Sequence, residues 1–154
     1  MNEQAKAALH TIDEKAAYFT AISDAVWDDP ELSLKEFHAA ALYIKRAARA
    51  GLFRAGESLR HRNGVFRLFR RGRPVIGILG EFDALSGLSQ QSGAAALQSV
   101  TPGGNGHGCG HNLLGAGSLA AAAAVKEYLA MSGKPGTVVF FGCPGEEDAV
   151  PIAI

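Results

Sequence analysis

Two short apolar runs, separated by one long helical pattern, constrain the fold more than any other feature of this sequence. The runs are VIGILG (75–80) and TVVFFG (137–142), and a helix is predicted between them from about Leu113 to Met131. A strand, a helix and a second strand in this order form a βαβ unit, which should close right-handed and place the strands parallel. Apolar runs of this length are typical of strands that are buried on both faces. The pattern therefore predicts an α/β fold.

The first third of the chain predicts two packing helices. Apolar residues recur at helical spacing from about Ala5 to Trp27, which predicts the first helix. The residues SLKE (33–36) have the form of a capping box, and Gly51 suits the end of a second helix. This helix carries an apolar stripe that we expect to face the core, formed by Leu34, Phe37, Ala41, Ile44 and Ala48. Further on, Asn63–Gly64 predicts the turn of a β-hairpin.

Acidic residues follow both predicted strands. Glu81 and Asp83 come directly after the first apolar run, and Glu146 and Glu147 follow the second. Sites in open α/β sheets gather beyond the carboxyl ends of the strands. The connection from 81 to 112 is longer than an ordinary loop and leads into the predicted helix at the same edge. We therefore expect three polar segments to converge there.

The loop segment GGNGHGCGHN (103–112) places Cys109 and His111 two residues apart, with a glycine between them. A thiolate and a neutral imidazole are good ligands for zinc or a similar divalent ion. The spacing alone is a weak signal, and the acids at the strand ends strengthen it. Glu146 and Glu147 are adjacent, so one can bind a metal while the other faces a bound water as general base.

Three further residues near this loop are candidates for supporting roles. His107 is either a third ligand or a support for the loop, and the sequence favours the support. Asn112 stands where the helix should begin, so an N-cap role explains it. Asp83 either ligates metal or holds a ligand histidine in its correct tautomer, and the second role is favoured. Cys143, at a buried strand end, is interpreted as core packing.

The composition argues against several other classes of function. Fifteen basic residues balance fifteen acidic ones, so no net charge favours nucleic acid or an anionic membrane. The N-terminus does not resemble a signal peptide, and no run is long and apolar enough to predict a membrane span. Two cysteines do not form a disulfide scaffold, which fits a cytoplasmic protein. The glycine-rich loop also lacks the Gly-Lys-Ser/Thr ending of a phosphate-binding loop.

Four motifs, in order along the chain, resemble one known family. They are DDPELSLKEF (28–37), GEFDAL followed by GLSQ (80–90), GHGCGHN (106–112) and GTVVFFGCPGEE (136–147). The sequence is similar to the aminoacylase/carboxypeptidase family of metallo-amidohydrolases, and most of all to the branch that acts on p-aminobenzoyl-glutamate. The resemblance implies the N-terminal part of a zinc-peptidase-like three-layer sandwich with a mixed, mostly parallel sheet.

The resemblance also implies a role for each matched residue. Cys109, His111 and Glu147 correspond to metal ligands, and Glu146 corresponds to the general base. Other branches of the family carry a histidine where Glu81 stands, so the resemblance implies the cysteine-using ligand set. The cofactor would be zinc or manganese, with two ions in the full-length protein. The implied reaction is hydrolysis of the amide bond in a small N-acyl amino acid, by a dimer or hetero-oligomer.

The resemblance stops at Glu147, and Asp148 stands where the family continues with glycine. We therefore expect residues 1–154 to be an N-terminal segment of a catalytic domain, inactive without the remaining histidine ligands and the dimerisation domain. Two alternatives stay open. One is a non-catalytic fragment with weak metal affinity. The other is a cysteine-dependent hydrolase with Cys109 as nucleophile and His111 or His107 as base.

Overall fold

The computed structural model describes residues 1–49 and 67–147, which form four helices and a three-stranded sheet. The helices are α1 (Glu3–Glu14), α2 (Ala16–Asp28), α3 (Phe37–Arg49) and α4 (His111–Ser132). The strands are β1 (Arg67–Arg71), β2 (Val75–Glu81) and β3 (Gly136–Cys143). Helix α4 connects β2 to β3, so the predicted strand–helix–strand unit is confirmed.

The sheet is mixed, with β3 in the centre of the strand order β1-β3-β2. Strands β2 and β3 are parallel, as predicted, and their register pairs Val75 with Thr137 and Glu81 with Cys143. Strand β1 pairs antiparallel with β3. It overlaps one arm of the predicted hairpin, whereas the Asn63–Gly64 turn and the other arm lie outside the described residues. The predicted α/β class is confirmed.

The predicted first helix is two helices, α1 and α2, which are separated by a turn at Lys15. The Asn2 side chain caps α1 by accepting a hydrogen bond from the Ala5 amide at 2.9 Å. The apolar spacing continues through the turn, from Ala8 in α1 to Phe19 in α2, and both residues are buried. Periodicity therefore predicts the buried face but does not reveal the break.

The capping box predicted for α3 is wrong. The Glu31 carboxylate caps this helix instead, accepting hydrogen bonds from the amides of His38 (3.0 Å) and Ala39 (2.8 Å). The side chains of Ser33 and Glu36 bond to segments far away in the chain. Gly51, the predicted stop of this helix, lies outside the described residues.

The apolar stripe predicted for α3 is also wrong. Phe37 is 56% exposed and Ile44 is 39% exposed, and the residues that α3 buries are Ala39, Ala40, Tyr43 and Ala47. The Tyr43 ring lies 5.3 Å from that of Phe82 and 5.9 Å from that of Phe140. Both stripes satisfy helical spacing, and the one that contains Tyr43 packs against Phe82 and Phe140.

The prediction that β2 is buried on both faces is wrong for the described part of the chain. Val75 is 61% exposed and Leu79 is 60% exposed, and Phe141 on the central strand β3 is 45% exposed, so one face of the sheet is left largely uncovered by the described residues. The central strand β3 fits the prediction better, since Val138 and Phe140 are fully buried. An apolar run thus indicates a strand correctly without indicating which strand is central.

Helix α4 is the central helix of the fold. It packs against β2 and β3 on one side and against α1 and α2 on the other. Its small residues allow close approach, and the Cα of Gly115 lies 3.2 Å from the position that a Cβ on Gly80 would take. By length and composition α4 could cross a membrane, but half of its apolar window is buried inside the fold. That burial is typical of a core helix.

Candidate metal centre

The three polar segments converge at one edge of the sheet, as the sequence predicted. Strands β2 and β3 end side by side at the paired residues Glu81 and Cys143. The chain then turns through Gly145, with φ of 71°, into Glu146 and Glu147. Helix α4 begins at His111, directly after Gly110, whose φ is 77°. The acids and the histidine therefore share one site despite their separation in sequence.

Asp83 is the centre of the hydrogen bonds at this site, and its side chain is fully buried. Its Oδ1 lies 2.9 Å from His111 Nδ1, and its Oδ2 accepts hydrogen bonds from Ser33 Oγ (2.8 Å) and the Glu147 amide (2.9 Å). An ionised carboxylate only accepts hydrogen bonds, so the proton of the imidazole belongs on Nδ1. Asp83 therefore orients His111 and leaves its Nε2 available as a ligand.

Three glutamate carboxylates surround Nε2 of His111. One oxygen of each lies within reach, at 3.1 Å in Glu81, 3.8 Å in Glu146 and 3.9 Å in Glu147. Glu81, His111 and Glu146 each offer a ligand atom within 4.8 Å of the other two. A lone pair on Nε2 and carboxylate oxygens repel one another, and a cation bound among them removes that repulsion. Imidazole nitrogen and carboxylate oxygens are also common ligands of divalent metals, so this donor set fits one.

Cys109 lies at the rim of this site, exposed to solvent and outside the three-residue group of Glu81, His111 and Glu146. A hydrogen bond to the Glu147 carboxylate raises the pKa of its thiol, with smaller contributions from desolvation and from the surrounding acids. The negative charges of those acids disfavour the thiolate form of Cys109, whereas a bound metal ion would favour it. Cys109 and Glu147 are thus close together, and their roles as ligands remain predictions.

His107 connects the glycine-rich loop to α2. Its Nε2 lies 3.0 Å from the carbonyl oxygen of Val26, to which it donates, and its ring is 6.5 Å from that of Trp27. Burial lowers the pKa of His107, so the neutral ring is favoured. The structure thus places His107 where it can support the loop, through its hydrogen bond to α2.

The N-cap role predicted for Asn112 is wrong. Gly110 is the N-cap residue of α4, and it caps without a side-chain hydrogen bond. Asn112 is the second residue of the helix, and its Nδ2 donates to Ser23 Oγ at 2.9 Å. Asn112 therefore connects α4 to α2, next to His111, as a support within the fold.

Sequence reasoning misses three residues that contribute to this site. Glu81 is recognised as the end of a strand but not as a candidate ligand, although its position beyond the strand is the available signal. The SLKE pattern assigns Ser33 and Glu36 to a capping box. Only the tertiary structure shows that their side chains point to Asp83 and Gly145.

Comparison with curated proteins identifies sequences that are similar to this chain. The profile of peptidase family M20/M25/M40 matches residues 77–151. A p-aminobenzoyl-glutamate hydrolase subunit from Escherichia coli (strain K12) is 50% identical over 129 residues, which are 84% of this chain and 27% of that relative. The Xaa-Arg dipeptidase of Homo sapiens is 31% identical over 157 residues, with 89% of this chain and 31% of that relative covered. The chain thus spans less than a third of each relative.

Two solved structures share the fold. The YXEP protein of Bacillus subtilis, a dinuclear metal-binding peptidase of the M20 family, matches with a TM-score of 0.63 and 23% identity, over 85% of this chain and 36% of that one. A protein from methicillin-resistant Staphylococcus aureus, described as an aminohydrolase, matches with a TM-score of 0.66 and 26% identity, over 98% of this chain and 36% of that one. The chain therefore resembles peptidase family M20/M25/M40 through its sequence profile and its relatives, and it shares the fold of the two solved structures.

Proposed function

We propose that this chain belongs to a metal-dependent amidohydrolase that cleaves the amide bond of an N-acyl amino acid such as p-aminobenzoyl-glutamate. One observation carries the proposal: four carboxylates surround the imidazole of His111, with Asp83 on Nδ1 and three glutamates facing Nε2. Such a cluster is suited to a divalent cation. The relative that is 50% identical is itself named for hydrolysis of p-aminobenzoyl-glutamate.

The residues that would hold the metal are Cys109, His111 and Glu147, with Glu81 close enough to join them. We propose zinc or manganese, and two ions in the full-length protein, in line with the dinuclear metal binding of the YXEP protein. A bound divalent ion polarises the substrate carbonyl and lowers the pKa of water. Asp83 contributes by holding His111 in the orientation that presents Nε2.

Glu146 is the proposed general base. Its side chain is 50% exposed, so it lies at the solvent side of the cluster, and its Oε2 is 3.8 Å from His111 Nε2. A carboxylate at the boundary between the ligands and solvent can take the proton of the attacking water. The same carboxyl group can then deliver that proton to the nitrogen of the departing amine.

The contacts of Cys109 favour a metal site over a cysteine nucleophile. A nucleophilic cysteine needs a low pKa and a histidine partner. Here the thiol is hydrogen-bonded to Glu147, its pKa is raised, and Asp83 and Glu81 face the two nitrogens of His111. His107 donates to a backbone carbonyl instead. The geometry therefore supports the metal-dependent reaction.

We further propose a cytoplasmic location, because Cys109 and Cys143 are both free thiols. For the full-length protein we propose a dimer or hetero-oligomer, and the fact that the E. coli relative is named as a subunit supports this. The substrate is proposed to be a small molecule. No part of the proposal needs nucleic acid or a membrane.

The test measures metal binding and hydrolysis on the same preparations. Zn²⁺ and Mn²⁺ are titrated calorimetrically into the 154-residue chain, and release of p-aminobenzoate and glutamate is followed by chromatography. The variants are His111→Ala, Glu146→Gln and Cys109→Ser, with the exposed Glu14→Gln as a matched control. We expect His111→Ala to lose metal binding and Glu146→Gln to keep it, and any turnover of the wild-type chain to disappear in Glu146→Gln.

Two other outcomes would favour the alternatives. Metal binding by the wild-type chain with no turnover would identify a non-catalytic fragment. Turnover that persists in chelator and disappears in Cys109→Ser would identify a cysteine-dependent hydrolase and refute the metal-dependent reaction.

A further inference from the structure

The segment from Glu31 to Glu36, which connects α2 to α3, lies against the strand-end residues of the metal centre. The Glu31 carbonyl accepts a hydrogen bond from the Ala84 amide at 2.8 Å, and Leu32 forms a parallel bridge with Ala84. Ala84 directly follows Asp83 in the chain. The segment is therefore fixed to the backbone next to the carboxylate that orients His111.

Ser33 contacts the centre directly through its side chain. Its Oγ donates to Asp83 Oδ2 at 2.8 Å, and both residues are buried. The other oxygen of the same carboxylate holds His111 Nδ1. A hydroxyl that fixes one oxygen of a carboxylate restricts rotation of the whole group. Ser33 therefore limits the positions that His111 can take.

Glu36 contacts the turn that leads into Glu146. It is fully buried, and its Oε1 accepts a hydrogen bond from the Gly145 amide at 2.7 Å. A buried carboxylate is costly unless it is hydrogen-bonded, and α3 does not use it as a cap because Glu31 does that. Besides the amides of Leu34 and of Glu36 itself, the Glu36 carboxylate thus holds the amide of Gly145. Gly145 directly precedes Glu146.

Leu34 encloses Gly145 from another direction. A Cβ on Gly145 would lie 2.6 Å from Leu34 Cδ2, so the two residues are in close contact. Leu34 has a φ of 62°, which is costly for a residue with a side chain. Gly145 itself has a φ of 71°. The turn before Glu146 is thus held by a hydrogen bond from Gly145 to Glu36 and by packing against a strained leucine.

We propose that Ser33 and Glu36 are positioning residues, which hold the Asp83–His111 pair and the Glu146–Glu147 turn in one fixed arrangement. The segment between α2 and α3 bonds to the first through Ser33 and to the second through Glu36. The role of this segment in metal binding and catalysis rests on the proposed function. The positions of the two amides that it controls, those of Gly145 and Glu147, do not depend on that function.

The experiment compares variants that differ only in the hydrogen bond. Glu36→Gln keeps an acceptor oxygen for the Gly145 amide, whereas Glu36→Met has similar length and no acceptor. Ser33→Thr keeps the hydroxyl, and Ser33→Ala removes it. Glu14→Gln, on the exposed face of α1, is the control. The measurements are Zn²⁺ affinity, KM and kcat for p-aminobenzoyl-glutamate, thermal unfolding, and hydrogen exchange at the amides of Gly145 and Glu147.

We expect Glu36→Met and Ser33→Ala to lower Zn²⁺ affinity by about 10- to 100-fold, as loss of residues that orient ligands does. Their kcat should fall more than their KM changes, and exchange should accelerate at Gly145 in Glu36→Met and at Glu147 in Ser33→Ala. Glu36→Gln and Ser33→Thr should restore wild-type values. Equal thermal destabilisation in all four variants, with unchanged metal affinity and unchanged exchange at both amides, would overturn the proposal.

The two proposals can fail separately. If the wild-type chain binds no metal and hydrolyses nothing, the proposed function fails, and amide exchange alone decides the positioning role. If Glu36→Met does not fold, the comparison of Ser33→Ala with Ser33→Thr tests the positioning role, through hydrogen exchange at the Glu147 amide. Metal binding that is intact in Ser33→Ala would refute the role of Ser33 while leaving the proposed function in place.

Discussion

Gly115 and Gly117 lie two residues apart on α4, and the structure predicts opposite effects when each is changed to alanine. A Cβ on Gly115 would meet the Tyr43 hydroxyl and would lie 2.6 Å from the Glu81 carbonyl oxygen. A Cβ on Gly117 would meet nothing within 4 Å. Gly115 is buried and Gly117 is exposed, so only the first contacts the core.

The magnitudes follow from two known effects. Replacing an exposed helical glycine with alanine stabilises a protein by about 0.5–1 kcal/mol, because alanine loses less backbone entropy on folding. Gly117→Ala should show this gain. Gly115→Ala has the same gain, set against about 1–3 kcal/mol for inserting a methyl group into a packed interior. The obstacle at Gly115 includes the backbone of Glu81, which cannot rotate away as a side chain can.

Urea unfolding followed by circular dichroism measures both variants against the wild-type chain. The free energy of unfolding should rise in Gly117→Ala and fall in Gly115→Ala, with similar m-values in all three proteins. The two variants should therefore differ by about 1–3 kcal/mol. Equal stabilisation by both substitutions would show that α4 and the end of β2 do not approach each other closely.

Three further predictions concern the site, the core and the surface. Asp83→Asn replaces an acceptor of three hydrogen bonds, so calorimetry should show Zn²⁺ affinity reduced by about 10- to 100-fold. Phe140→Ala should lower the free energy of unfolding by about 3–5 kcal/mol, whereas Phe141→Ala, at a residue 45% exposed, should cost clearly less in the same denaturation assay. The Asp29 carboxylate, 2.8 Å from His38 Nδ1, raises the pKa of that exposed histidine. This ion pair contributes stability below the unfolded pKa of His38 and loses it as pH rises through the folded pKa. Asp29→Asn should therefore destabilise the chain more at pH 5 than at pH 8, and an equal effect at both would contradict the pairing.

The βαβ unit and the convergence of the acids could be predicted because both follow from local patterns. Apolar runs indicate β2 and β3, and the parallel register then places Glu81 near Glu146 and Glu147. The exposure of each strand residue could not be predicted from the apolar runs. Val75 and Leu79 resemble core residues, and they are exposed because no described element covers their face of the sheet.

Helical spacing misled the prediction where two registers fit equally well. Both faces of α3 carry apolar residues four apart, and the choice between Ile44 and Tyr43 depends on the rings of Phe82 and Phe140, which lie far away in sequence. The SLKE pattern failed for a related reason. In the tertiary structure Ser33 bonds to Asp83, and the Glu36 carboxylate accepts from the distant Gly145 amide as well as from the nearby amides of Leu34 and Glu36.

The hydrogen bonds of Asp83 also determine when this site can form during folding. The carboxylate joins Ser33, His111 and Glu147, which lie 50, 28 and 64 positions away along the chain. Contacts of such long range form only after large loops have closed, so they tend to be completed late and slowly. A partly folded chain has no preorganised ligand at His111. Metal capture would therefore be a kinetic signal that the segments around Ser33, Asp83, His111 and Glu147 have come together.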